Sequence, residues 1–413
     1  MRLPRTLLVP ALAALTLLIA VTAPADAGAP PGEGELGTGE LGAGELGRDE
    51  LGEAVRAGQW QVGPLRLPEA WHRSRGEGVL VAVLDTGVNS RHPDLAGAVV
   101  EGPDLTGAAR RPGRWGHHGT AMASLIAGRG HGEGRRRGVV GVAPAARVLS
   151  IRVTLENGDP LREKQPPGGR DALAKAIRYA AAHGADVISM SLGGGNGVWE
   201  GSAAEEEAVQ YAIARGCVLV ASSGNDGETT NRKNFPAAYP GVIAVGAVDR
   251  RLRVTPFSNR QDYLSVVAPG TEIVTADGAD SYLVGDGTSS AAALVAGIAA
   301  LVRSAYPRLS PYHVRRAIEL GVRRRPSDGY STAYGHGVAN ALLALRAAGE
   351  LAGPAATPVA PPPGGHFGAW PPGGAPASRA PVVAGMVLLV AAMSARVLLR
   401  SRRRGARRRR RRM

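Results

Sequence analysis

A chain of 413 residues that is 44% hydrophobic is long enough for one large α/β domain with extensions, or for two or three average domains. Its formal charge of +14 is concentrated at one end: Arg396, Arg400, Arg402 to Arg404 and Arg407 to Arg412 supply eleven of the fourteen charges, so the body is nearly neutral and offers no distributed basic surface for nucleic acid. Cys217 is the single cysteine, which excludes an intrachain disulfide framework, and its apolar setting in CVLVASSG predicts a buried, inert thiol.

Residues 1–27 open with Arg2 and Arg5, continue through an apolar run from Leu7 to Val21 and end in Ala25-Asp26-Ala27, a small-x-small pattern. This reads as a secretory signal peptide, since the run is shorter than the roughly 20 residues of a bilayer span. In residues 28–57, Glu-Leu-Gly recurs every five residues, at Glu35, Glu40, Glu45 and Glu50. That period matches neither helix nor strand, and the segment is expected to be a low-complexity linker, too short for an independent inhibitory prodomain.

Residues 58–348 have globular composition. The apolar runs VLVAVLD, RVLSIRVT, DVISMSLG, CVLVASSG and VIAVGAV lack polar alternation, as parallel strands buried on both faces should. Helical patterns lie between them: one capped by Asp171 and stopped by Gly184, one from about Ala203 to Arg215, and one opened by Ser310-Pro311 and closed at Gly321. The expected fold is α/β, three layers around a mostly parallel central sheet. Residues 349–380 are a Pro/Gly-rich spacer. Val382 to Leu399 is apolar over about 27 Å of helix, so residues 381–399 are expected to cross a membrane once. The basic tail, 400–413, then reads as a cytoplasmic stop-transfer signal that leaves the globular domain outside.

Three segments of the globular region carry reactive side chains. VAVLDTGV delivers Asp85 at the carboxyl end of a strand, where open α/β sheets place their sites; taken alone, Asp85 is either a turn residue or a carboxylate that orients an imidazole. Asp94, in RHPDL, competes with it from a loop. HHGTAMASLIAG opens a helix with His118, a candidate general base, and His117 reads as a surface or packing neighbour. GDGTSSAAALVAGIAALV places Ser289 at the start of a long buried helix, as either an N-cap or a nucleophile beside backbone N–H groups. Asn225 in ASSGNDG follows a strand and a glycine, where its amide suits a tetrahedral oxyanion. Ser191-Leu192-Gly193, with Ser223 and Gly224, offers backbone for an extended peptide. Asp226, beside the site, suggests a basic substrate residue. No calcium-type loop of closely spaced carboxylates is present, and no metal or cofactor is expected.

These motifs, DTG at Asp85, HGT at His118, SLGG at Ser191, SGND at Asn225, FPAAYPGVIAVGAV and GTS at Ser289, resemble those of the subtilisin-like serine proteases over about residues 60–348. The resemblance implies an Asp85-His118-Ser289 triad, Asn225 as oxyanion donor, a polypeptide substrate and a cis Phe235-Pro236 peptide. The layout, including AGQWQVGPLRLPEAW and the C-terminal span, is similar to the mycosins, which implies association with type VII secretion machinery. The same layout is compatible with a second role, as a structural subunit that stabilises a membrane secretion complex. Ser290, Ala293 and Leu294 depart from the family pattern after the nucleophile, and His117 stands where glycine is common.

Overall fold

The computed structural model describes residues 39–41, 47–110, 115–164, 171–193 and 201–353. The chain divides into two units, Met1–Pro362 and Pro363–Met413, and every described residue lies in the first. The expected signal peptide, transmembrane helix and basic tail, and the spacer from residue 354 onward, lie outside the described residues.

In chain order the strands are β1 (Gly39–Leu41), β2 (Leu80–Asp85), β3 (Val99–Asp104), β4 (Arg129–His131), β5 (Arg137–Val140), β6 (Arg147–Arg152), β7 (Val187–Met190), β8 (Val218–Ser222), β9 (Ile243–Val248), β10 (Leu264–Pro269), β11 (Ile273–Asp277), β12 (Ser281–Gly285), β13 (Val322–Arg323) and β14 (Val338–Ala339). The helices are α1 (Arg48–Gly58), α2 (Leu67–Trp71), α3 (His117–Ala127), α4 (Pro160–Lys164), α5 (Ala172–Ala182), α6 (Ala203–Ala214), α7 (Thr288–Ala305), α8 (Pro311–Leu320) and α9 (Ala341–Leu351).

A nine-stranded sheet in the order β13-β14-β10-β9-β8-β7-β2-β6-β3 forms the middle layer, and only β13 runs antiparallel to its neighbour. Strands β2, β6, β7, β8, β9 and β10 are buried along nearly their whole length because successive side chains enter different cores. Val81 and Val83 join the cluster under α3 and α7, whereas Ala82 and Leu84 join the one under α5 and α6. The same division separates Val218 and Val220 from Leu219 and Ala221. These two cores make the expected three-layer α/β architecture.

Helix α7 is long and apolar enough to cross a membrane by length and composition, yet 78% of it is buried, and it is the central helix of the first core. It approaches Val142 so closely that a Cβ on Gly297 would lie 2.5 Å from that side chain. Ser310 caps α8 by accepting from the His313 amide, with Pro311 following as expected. Asp171 precedes α5 but makes no side-chain cap bond, a departure from the expected cap.

The structure corrects the linker expected over residues 28–57. Residues 48–57 are helical: α1 buries Leu51 and Val55, one turn apart, against Val139, Val274 and Tyr282. Its Arg56 guanidinium donates to the carbonyls of Gly138, Arg135 and Arg137 at 2.7, 3.2 and 3.2 Å. Ahead of it, β1 pairs antiparallel with β12, Glu40 opposite Leu283.

Candidate active site

Strand β2 sits where the strand order reverses, between β6 and β7, the position at which open α/β sheets bind ligands. Its last residue, Asp85, is 1% exposed. Oδ1 of Asp85 accepts the Thr86 amide at 2.7 Å and lies 2.7 Å from Nδ1 of His118.

His118 occupies the first turn of α3. The amides of His117 and His118 donate to the two oxygens of Glu156, at 2.8 and 3.4 Å, so a carboxylate complements the positive end of the helix. Gly119 donates to Thr86 Oγ1 at 3.1 Å, and a Cβ there would lie 2.1 Å from the Gly87 carbonyl oxygen. Only glycine allows α3 to approach the Asp85 turn this closely.

Ser289 begins α7, half-buried, while Ser290 beside it is buried. Asn225 Oδ1 accepts both the Thr288 amide, at 2.9 Å, and the Thr288 hydroxyl, at 2.8 Å. Those two donors fix the orientation of the carboxamide and leave its Nδ2 protons for another acceptor. A Cβ on Gly287 would lie 3.6 Å from Asn225 Nδ2 and 3.7 Å from the Ser289 nitrogen, so two N–H groups flank one small space.

These residues line a cleft of about 610 Å³, together with Ser191, Leu192, Gly193 and Gly224. Ser191 Oγ also donates to the Ser289 carbonyl at 3.1 Å, tying the end of β7 to α7. Ser223 does not join them. It is fully buried, and its amide bonds to the Val245 carbonyl at 2.9 Å within the β8–β9 seam, because the residue after a strand follows the strand's pleat and not the cleft.

Five further expectations meet the structure here. Asp94 is buried away from the cleft, where its carboxylate bonds His131 at 2.6 Å and the Val139 amide at 2.7 Å. His117, expected as a surface or packing neighbour, lines the cleft and lies 2.7 Å from Asp277 Oδ1. Burial opposes ionisation of Asp277, but the hydrogen bond and charge of His117, with the Ser281 hydroxyl, hold its carboxyl below the usual range. Asp226 reaches the cleft, yet its carboxylate turns into its own loop to bond Thr230 and the Arg232 amide. Cys217 is buried, and burial pushes its thiol up to about 11, as an inert side chain requires. The Phe235-Pro236 peptide is cis, as the resemblance implied. Sequence reasoning missed Thr288, Glu156 and Asp277; a threonine between Gly287 and Ser289 was the one local signal among them.

Comparison with known proteins places this cleft in context. The model of the Subtilase family matches residues 76–337. Thermitase of Thermoactinomyces vulgaris is 36% identical over 288 residues, which are 69% of this chain and 96% of thermitase. The structure of fervidolysin from Fervidobacterium pennivorans, a keratinolytic enzyme related to subtilisin, superposes with a TM-score of 0.61 at 31% identity. That match covers 70% of this chain but 45% of fervidolysin. A structure of MycP1, a serine protease and an essential component of the type VII (ESX-1) secretion system, superposes with a TM-score of 0.57 at 30% identity, over 70% of this chain and 88% of MycP1.

Proposed function

The chain belongs to the subtilase family and is a serine-type endopeptidase, and from that premise we propose that it hydrolyses exported polypeptides with Ser289 as nucleophile. The observation that carries the assignment is the convergence of Asp85, His118, Asn225 and Ser289 on one cleft, with 2.7 Å between Asp85 and the His118 ring. The Asp85 carboxylate accepts the Nδ1 proton and so presents a basic Nε2 to the substrate side. Nε2 takes the Ser289 hydroxyl proton as Oγ attacks the peptide carbonyl. The Asn225 amide and the Ser289 N–H stabilise the oxyanion, at no cost in reorganisation because Thr288 already holds Asn225. His118 then protonates the leaving amine, and water attacks the acyl-enzyme by the same route in reverse.

We further propose the mycosin type: a protease exported by its leader, tethered once through residues 381–399, and working with type VII secretion machinery. The likeness to MycP1 and the apolar segment followed by arginines support this reading. The essential place of MycP1 in its secretion system favours a second reading, in which the domain mainly stabilises a membrane complex. Complementing a deletion strain with Ser289→Ala separates the two. Proteolysis as the main role predicts no restored secretion, and restored secretion would assign the role to scaffolding.

A further inference from the structure

Six carboxylates line the cleft, and four of them are held by two or more partners. Asp85 faces His118, Asp277 faces His117, and Glu156 receives the first amides of α3. Asp159 accepts the Leu161 amide at 2.9 Å in its own turn, and Asp226 is tied to Thr230 and Arg232. The sixth, Asp286, resembles Asp159 in accepting a single backbone amide, but burial opposes its ionisation and a neighbouring carboxylate, Glu272, repels it. Its Oδ1 accepts one backbone amide, that of Glu272, at 2.7 Å, and no guanidinium, ammonium or imidazole group pairs with it among the described residues.

Its surroundings increase the imbalance. Burial pushes the Asp286 carboxyl up, against the bond from the Glu272 amide, and the Glu272 carboxylate adds repulsion. The Glu272 side chain already has a cation, Arg250 at 2.7 Å. A half-buried carboxylate without a counter-charge is costly until a ligand supplies one. Asp286 precedes Ser289 by three residues, a span of at most about 10 Å of chain. A long side chain near the scissile bond can therefore meet it.

We propose that Asp286 selects a lysine or arginine within two residues of the scissile bond, so that the substrates are polypeptides cut beside a basic residue. The inference rests on the endopeptidase reading above and deepens it. It moves basic specificity from Asp226, whose carboxylate is satisfied within its loop, to Asp286. An acidic cleft on a protein of positive net charge also concentrates cationic segments at the site.

The test is cleavage profiling of a mixed peptide library by the full-length protein in detergent, read by mass spectrometry, with fluorophosphonate labelling of Ser289 in parallel. The wild type should enrich Lys or Arg about tenfold at one position within two residues of the cut. Asp286→Asn, which still accepts the Glu272 amide, should lose that enrichment while remaining labelled, and Asp286→Lys should favour acidic residues there. An unchanged profile in labelled Asp286→Asn overturns the proposal. A wild type that is labelled yet shows no basic preference also overturns it and leaves the endopeptidase reading standing, whereas absent labelling of the wild type overturns the Ser289 assignment itself. A wild-type measurement stands apart from the variants' folding: the ratio of kcat/KM for a lysine peptide over its glutamine counterpart should fall severalfold from 0.05 to 0.5 M salt, roughly as screening requires. A salt-independent ratio contradicts a charge-based preference.

Discussion

Thr288 serves the site twice, through its amide and its hydroxyl, both donated to Asn225 Oδ1. If Asn225 acts as proposed, Asn225→Ala should lower kcat by about 10² to 10³ with little change in KM. Thr288→Val keeps the amide bond and removes the hydroxyl, so a smaller loss of about tenfold in kcat is expected, with Thr288→Ser restoring it. Steady-state kinetics on one peptide checks both, and a Thr288→Val enzyme altered only in KM would contradict the positioning role. Asp277 gives a pH prediction. Its folded-state pKa is depressed, so its contribution to stability is full above the unfolded value of about 3.9 and is lost as pH falls through the lower native value. The difference in urea midpoint between wild type and Asp277→Asn should be steady from about pH 6 to 5 and shrink below pH 4. The four principal residues of the candidate site were legible because each ends or closely follows a strand, or opens a helix, inside a short motif. Thr288, Glu156 and Asp277 were not, because their partners lie 63, 38 and 160 residues away in sequence and only folding joins them. Ser223 was misread for a related reason: the pleat of β8, invisible in composition, turns it inward.

Among the elements, the parallel strands were the most readable, since burial on both faces leaves an unbroken apolar run. Helix α1 was the least. A short, glycine-containing segment has little helical stability by itself, and α1 depends on the surface that Leu51 and Val55 cover. Its expected worth follows. Arg56→Ala removes a half-buried cation from three carbonyls and should cost about 2 kcal/mol. Val55→Asp should cost more, because it buries an unpaired charge in the small core shared with Val139 and Tyr282. Thermal midpoints measure both, and a midpoint unchanged in Val55→Asp would show that α1 contributes nothing to the stability of the domain.

For the whole molecule, the distribution of charge separates the roles of the ends and the body. Eleven of the fourteen net positive charges lie from Arg396 onward, at the end of and beyond the apolar segment at 382–399, and the rest of the chain nets only +3. The membrane-anchor proposal predicts that removing residues 381–413 moves the protein from the membrane to the soluble fraction with kcat/KM for a short peptide within about twofold, since no described residue of the cleft lies there. Persistence in the membrane fraction would contradict a single C-terminal anchor. The central claim is that Ser289, activated by His118 and Asp85, is the nucleophile, and fluorophosphonate labelling followed by peptide mapping tests it most directly. The account predicts one adduct, on Ser289, absent from Ser289→Ala and strongly reduced in His118→Ala. Equal labelling of wild type and Ser289→Ala would contradict it.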